Sequence, residues 1–285
     1  MHVTISAGEL TAVIGDNRAY EGQRAGYNGV HALTSVHCPD SLFVPGIAGI
    51  NLEHLFDGRD MSEPEQFFEP RRQLMEVEKL DQQCAIVHQS ATPTLGVQSM
   101  ATFAVRLPHY LDIELRIALR EPSLTYDYLL AFWASYIHQP EHPGMHFLGR
   151  PRTEPVGEAW QTLCSPEHNV GSTVCSIDTE PELPHRMSRE TLAYSYSELA
   201  WMRPFFYGRR RNMVFALMFE DGHDVRLTHS PTGGGNGNPA WDFQWVLHEP
   251  EVDVEYLLRA RAVYRPWVSE DDVWREYQSW DPLLS

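Results

Sequence analysis

Residues 111–117 read Leu111-Asp112-Ile113-Glu114-Leu115-Arg116-Ile117. Apolar side chains take the odd positions and charged ones the even positions. Successive side chains of a strand point to opposite faces. The segment therefore buries Leu111, Ile113, Leu115 and Ile117 and turns Asp112, Glu114 and Arg116 to the other side. The same period recurs in Tyr194-Ser195-Tyr196-Ser197, and in part over 256–264, where Arg259 and Arg261 share a face. Continuous apolar stretches at 84–88, 100–107, 128–136 and 213–219 carry the β-branched and aromatic residues that favour strands. Together these give roughly a dozen strands or more, enough for two packed sheets.

The chain has 285 residues with 20 prolines and 19 glycines spread along it, a turn-rich composition that suits many strands better than long helices. With no internal repeat and no shift in composition, residues 1–285 read as a single all-β domain, a large two-sheet β-sandwich. One short helix closes the C-terminal end. Ser269 can cap it with Asp272 as capping-box partner, and Val273, Tyr277 and Trp280 fall on one face, suited to cover a sheet edge.

The formal net charge of −17 repels phosphate backbones, which argues against a nucleic-acid partner. No apolar run approaches the length of a membrane span. Residues 1–16 lack a basic start followed by an apolar core, so a cytoplasmic location is expected. None of Cys38, Cys84, Cys164 and Cys175 forms a C-x-x-C pair. Reduced thiols are expected, with a Cys164–Cys175 hairpin disulfide as the alternative.

Three stretches, 38–72, 139–157 and 230–239, read as long loops, and long loops in a compact domain often carry function. At least two of them are expected to line one pocket. In the first, Asn51-Leu52-Glu53-His54 follows the Gly-rich run Pro45-Gly46-Ile47-Ala48-Gly49. Glu53 and His54 can serve as acid and base, provided the chain turns so that both reach one substrate. His54 is taken as a loop residue whose removal leaves the core intact. Arg71 in Phe67-Phe68-Glu69-Pro70-Arg71-Arg72 offers a planar fork for carboxylates or vicinal hydroxyls; an internal ion pair with Glu69 or another acid is its competing use.

His138, His142 and His146 are spaced by four, but Pro140 and Pro143 rule out the helix that would align them. There is no His-x-His and no H-E-x-x-H, so neither a metal nor another cofactor is expected. His138 and His146, beside Trp133 and Tyr136, read instead as binders of sugar hydroxyls. Beyond His229, the run Gly233-Gly234-Gly235 lacks the Gly-Lys-Ser/Thr of a phosphate loop. The strand after it, Trp241-Asp242-Phe243-Gln244-Trp245, places three aromatics on one face and Asp242 with Gln244 on the other. The expected orientation is Asp242 and Gln244 to the pocket, aromatics to the core, with His229 at the other end of the loop.

Aromatic faces stack on sugar rings and polar side chains bind hydroxyls, so a small sugar or oligosaccharide is the expected partner. The strand run starting at Phe67-Phe68-Glu69-Pro70-Arg71-Arg72-Gln73-Leu74 and continuing through 85–88, 103–108 and 111–118 resembles the galactose mutarotase-like superfamily, the large β-supersandwich. The likeness extends to the last strands, 241–264. Asn51-x-x-His54 is similar to that family's Asn-x-x-His-Gly-Gly, with Leu55-Phe56 in place of the glycines and Arg71 after the histidine rather than before it. The resemblance implies an aldose epimerase or a sugar-processing relative such as a hydrolase or lyase, with histidines and a carboxylate on a concave sheet face. In that scheme His54 and Glu53 or Asp242 move protons, while Arg71 and Gln244 hold hydroxyls. Two other readings stand beside it: a non-catalytic carbohydrate-binding module with an exposed aromatic platform, and a metal-dependent enzyme using His138, His142 and His146.

Overall fold

Period-two patterning becomes strand almost wherever it occurs. The computed structural model describes residues 1–154, 156–220, 222 and 224–280. In chain order the strands are β1 (His2–Ala7), β2 (Leu10–Gly15), β3 (Gly29–Ser35), β4 (Asn51–Phe56), β5 (Met75–Lys79), β6 (Cys84–Gln89), β7 (Val97–Arg106), β8 (Tyr110–Leu119) and β9 (Tyr128–Ala134). They continue with β10 (Met145–Pro151), β11 (Ala159–Leu163), β12 (Thr173–Ser176), β13 (Tyr196–Trp201), β14 (Phe205–Arg210), β15 (Met213–Phe219), β16 (Val225–Gly235), β17 (Asn238–His248) and β18 (Glu255–Pro266). Helices α1 (Pro64–Phe67) and α2 (Glu69–Arg72) are single turns, and α3 (Glu270–Trp280) is the C-terminal helix.

Strands β1 to β3 form a small antiparallel sheet. The other strands form one ladder in the order β4-β9-β17-β16-β12-β13-β10-β14-β15-β18-β8-β7-β6-β5, with β11 added to β10. The ladder curls until its two halves face each other. Phe219 of β15 meets Phe243 of β17 with ring centroids 4.9 Å apart. Trp241 of β17 lies over Gly208 of β14, where an added Cβ would come within 2.1 Å of its ring. The result is an all-β sandwich of two layers with one short C-terminal helix. In β8 the odd residues of 111–117 are buried as patterned. The charges opposite them pair across the strand boundary: Arg261 donates to Asp112 at 2.6 Å and Arg259 to Glu114 at 3.2 Å.

Ser269 does cap α3, its hydroxyl accepting the Asp272 N–H at 3.2 Å. Asp272 does not close a capping box, because its carboxylate pairs with Arg265 instead. The helix covers a face rather than an edge. Val273 and Tyr277 pack with Phe205, Val214, Met218 and Val263 on the outer side of β14, β15 and β18. No helix among the described residues is long and apolar enough to cross a membrane.

All three stretches expected as loops contain regular structure. Stretch 38–72 contains β4, α1 and α2, and stretch 139–157 contains β10. Stretch 230–239 extends the β16–β17 hairpin, whose tip is Asn236-Gly237. The Cys164–Cys175 disulfide is absent, since both thiols are free. The two cysteines do not share a hairpin: Cys164 follows β11, which pairs with β10, while Cys175 lies in β12 between β13 and β16.

Candidate active site

One irregularity in β4 builds the site. Leu52 pairs with Trp133 of β9 and His54 with Phe132, which leaves Glu53 as an extra residue in a β-bulge. A regular strand would send Glu53 and His54 to opposite faces. The bulge turns both into one cleft of about 380 Å³ on the outer side of β4, β9 and β17, while Leu52 stays in the core. The chain enters β4 through Ile50, which has φ 49°, an unusual conformation for a β-branched residue. The Ser135 hydroxyl accepts the Ile50 N–H at 2.9 Å. Gly29 passes beneath, and a Cβ there would sit 2.3 Å from the Ile50 carbonyl oxygen.

Glu53 is fully engaged. Arg71 Nη1 donates to Oε1 at 2.6 Å, and the Tyr136 hydroxyl donates to Oε2 at 2.6 Å. Arg71 is aimed by α2 and held in place by its neighbours. Its Nε donates to the Gly26 carbonyl at 2.8 Å, and its guanidinium lies 4.0 Å from the Tyr27 ring centroid. Arg71 therefore does form an internal ion pair, with Glu53 and not with Glu69. Burial, followed by the Glu53 charge and its hydrogen bond, holds the Tyr136 hydroxyl well above the ordinary phenol range.

His54 is packed among the rings of Phe56, Phe67, Phe68 and Phe132. It is a buried strand residue, not the loop residue expected, so the core depends on it. Its Nδ1 lies 2.6 Å from the Phe67 carbonyl oxygen. A carbonyl only accepts, so Nδ1 carries the proton and Nε2 keeps the lone pair. Burial lowers the pKa of His54, partly opposed by the Glu53 charge and the Phe67 carbonyl, and keeps the imidazole neutral.

Asp242 faces the same cleft from β17, with Trp241 and Phe243 on the core side of that strand. Its Oδ1 accepts the Ser135 N–H at 2.8 Å. Burial pushes its carboxyl well above the ordinary carboxylate range; the Ser135 N–H opposes this and the Glu53 charge adds to it. The shift favours the protonated carboxyl over the carboxylate at this position.

The cleft also gathers residues that pattern reading passes over. His168 Nδ1 lies 3.2 Å from the Ser230 hydroxyl, and burial lowers the pKa of this second imidazole. The Arg189 guanidinium stands 4.5 Å from the Phe67 ring centroid. His168 sits in the turn-rich run Ser165-Pro166-Glu167-His168-Asn169, and that composition is the one signal that could have flagged it. Arg189 carries no such signal.

Six expected residues lie elsewhere. Asn51 is buried behind β4, where its Oδ1 accepts the Asn28 N–H at 3.0 Å and Asn28 Nδ2 at 2.8 Å, joining β4 to the start of β3. Trp133 is on the core face of β9, stacked on Phe243 at 5.2 Å. The carbonyl of His138 accepts from the buried Arg210. His146 bonds the Thr162 hydroxyl at 2.9 Å and stacks on Tyr207. His229 accepts the Ser165 N–H at Nδ1 and donates from Nε2 to the Pro143 carbonyl at 3.1 Å. Gln244 is on the Asp242 side of β17, but its amide is used on the hydroxyls of Thr173 and Thr228, at 2.9 and 2.7 Å. The Thr173 hydroxyl donates in turn to the Leu192 carbonyl at 2.7 Å, so the turn at Leu192–Tyr194 seals Gln244 off. The histidines of 138–146 do not converge: His142 and His146 have ring centroids 5.6 Å apart, while His138 stands with Arg210. No group of three or more metal-ligating side chains forms among the described residues.

No protein-family profile matches the chain, and no curated protein matches it in sequence. Solved structures do. A candidate aldose 1-epimerase from Escherichia coli K12 superposes with a TM-score of 0.54 and 7% identity, over 94% of this chain and 99% of that one. A galactose mutarotase-like protein from Lactobacillus casei gives a TM-score of 0.49 and 9% identity, over 93% and 100%. The first of these, with the architecture above, shows a galactose mutarotase-like fold.

Proposed function

We propose that this chain is an enzyme that carries out acid–base chemistry on the anomeric centre of a sugar, interconverting aldose anomers. The observation that supports it is the convergence produced by the β4 bulge. A neutral imidazole with a free lone pair, His54, shares one cleft with a protonated carboxyl, Asp242. Interconverting anomers needs one group to take the proton of the C1 hydroxyl and another to give one to the ring oxygen. His54 Nε2 is the acceptor and Asp242 the donor. As the C1–O5 bond breaks, C1 becomes a carbonyl, the open chain turns about C1–C2, and the two proton transfers reverse when the ring recloses. Glu53 does not act as a free base here, since both its oxygens are occupied; it positions Arg71 and Tyr136. Ser230, His168 and Arg189 surround the space left for hydroxyls.

A buried acid–base pair is what a simple sugar-binding module does not need, so the catalytic reading is preferred over the binding one. The fold's likeness to a candidate aldose 1-epimerase agrees with this reading. The test is anomer exchange of several aldoses followed by polarimetry or by NMR, with wild type and His54→Asn. Acceleration over the buffer rate by wild type, lost in the variant while the protein remains folded, is the expected result. No acceleration for any sugar would overturn the assignment.

A further inference from the structure

We infer that residues 177–191 form a strap that lifts off the sheet as a unit, and that its opening admits substrate to the cleft. The opening is a property of the fold alone; its consequence for entry rests on the reading of the cleft proposed above. Strands β12 and β13 lie side by side and parallel, so the chain between them has to cross over the sheet. Such crossovers are usually helices. This one carries Pro181 and Pro184 and stays irregular until the single turn Leu192–Tyr194. Within 178–190, Leu183 is the one buried residue among the described residues, and most of the others are exposed. A segment with so little buried apolar surface opens far more readily than the strands beneath it.

Polar ties hold the strap down. The Tyr128 hydroxyl donates to the Pro184 carbonyl at 3.0 Å, Arg226 Nη1 to the Pro181 carbonyl at 2.8 Å, and the Leu183 N–H to the Tyr196 hydroxyl at 3.3 Å. Further along, the Arg186 N–H donates to the Gly58 carbonyl at 2.7 Å and the Ser188 hydroxyl to Asp60 at 2.8 Å. The last part, Arg189, Glu190 and Thr191, is a wall of the cleft that holds His54 and Asp242. Movement of the strap therefore changes the width of that cleft. The floor beneath it is not satisfied by the closed position. Arg226 is 2% exposed, and its Nη2 is buried without a hydrogen-bond partner. A buried guanidinium N–H left unpaired costs stability, and water satisfies it once the strap is raised. The closed state is thus held by its ties and opposed by the group it covers. Cys175 reports on the same floor. Its neighbour Val174 faces the core, so Cys175 points to the strap side of β12. It is 2% exposed and lies within electrostatic range of Arg226 and Tyr196.

Alkylation of Cys175 by iodoacetamide, followed by peptide mass spectrometry, reads the opening without any sugar. In wild type, labelling is expected under native conditions at a rate nearly independent of low urea, as for a local opening and unlike global unfolding. Tyr128→Phe removes the tie to Pro184 and should speed labelling about fivefold. A disulfide between Asp60→Cys and Ser188→Cys, placed where the two side chains already touch, should slow labelling about tenfold or more and lower kcat/KM for the aldose by a similar factor. Reduction should restore both. Labelling of Cys175 that follows global unfolding in its urea dependence overturns the strap. Labelling slowed by the disulfide with kcat/KM unchanged overturns its role in entry. If no aldose is turned over, the acid–base reading falls, and the labelling still decides whether the strap opens.

Discussion

Replacing Glu53 by Gln is the perturbation that discriminates most sharply, because it separates a positioning carboxylate from a free base. The change keeps the shape and removes the charge. Arg71, only 16% exposed at its side chain, then faces a neutral amide oxygen, and Tyr136 loses its charged acceptor. Breaking a buried ion pair from one side costs about 3–5 kcal/mol. The amide oxygen still accepts one bond and Arg71 keeps the Gly26 carbonyl, so about 2–3 kcal/mol is expected. At roughly 2–4 °C per kcal/mol, the melting temperature should fall by about 5–10 °C. Calorimetric or circular-dichroism melts of Glu53→Gln, Tyr136→Phe and the double variant measure this, and the pair should show a coupling of about 0.5–3 kcal/mol. A Glu53→Gln protein that melts within about 1 °C of wild type while losing all activity would refute the reasoning and restore Glu53 as a free base.

Asp242→Asn should lower activity by about 10²–10⁴. Its stability near neutral pH should match or exceed that of wild type. The Asp242 pKa is raised on folding, so the unfolded chain releases this proton from about pH 4 while the fold retains it, and wild type loses stability as pH rises from there; denaturant melts of both proteins against pH check it. Phe243→Ala should cost about 3–5 kcal/mol in denaturant melts, because the ring is buried between Trp133 and Phe219; a cost below about 1 kcal/mol would mean the strand is wrongly placed. His229 is held neutral by burial, with its pKa lowered to about 4, whereas the unfolded imidazole binds a proton below about pH 6.5. Its contribution is present above that pH and declines as pH falls towards about 4, by about 3 kcal/mol in all. The stability gap between wild type and His229→Gln should therefore narrow over that window, and a constant gap would contradict it.

How far pattern reading reached depended on regularity. In β8 the odd residues of 111–117 face a core, and the even ones meet arginines directly opposite in β18, so a period of two was enough. The strand at 241–245 was legible for the same reason, down to Asp242 and Phe243 taking opposite faces. Gln244 shows where such reading stops: the face of β17 was right, but the segment that seals it comes from Leu192 and Thr173, remote in sequence. His138, His146 and His229 were picked by residue type, and their partners are likewise non-local: Arg210, Thr162 and the Pro143 carbonyl. The segment 51–56 showed no alternation at all and passed for a loop. It is a strand whose bulge erases the period, and a bulge is a property of two strands in register, invisible in either one alone.

Ser135 shows why that bulge and the acid opposite it belong to one device. Its N–H donates to Asp242, its hydroxyl accepts from Ile50, and its carbonyl accepts the Trp241 N–H at 2.9 Å. One fully buried residue at the end of β9 thus touches the entry to β4 and the strand that carries the acid. A β-branched residue at positive φ costs about 1–3 kcal/mol and persists only where its surroundings over-determine it. Here the surroundings are Ser135 and the close passage of Gly29, and both also fix the phase in which the chain enters β4. Shifting that phase by one residue would exchange Glu53 and His54 with their core-facing neighbours. The strain at Ile50 is therefore tied to the placement of Glu53 and His54 in the cleft. One residue at the end of β9, the strand between β4 and β17, thus ties the entry to β4 to Asp242, and under the acid–base reading proposed above this fixes the positions between which a proton would move.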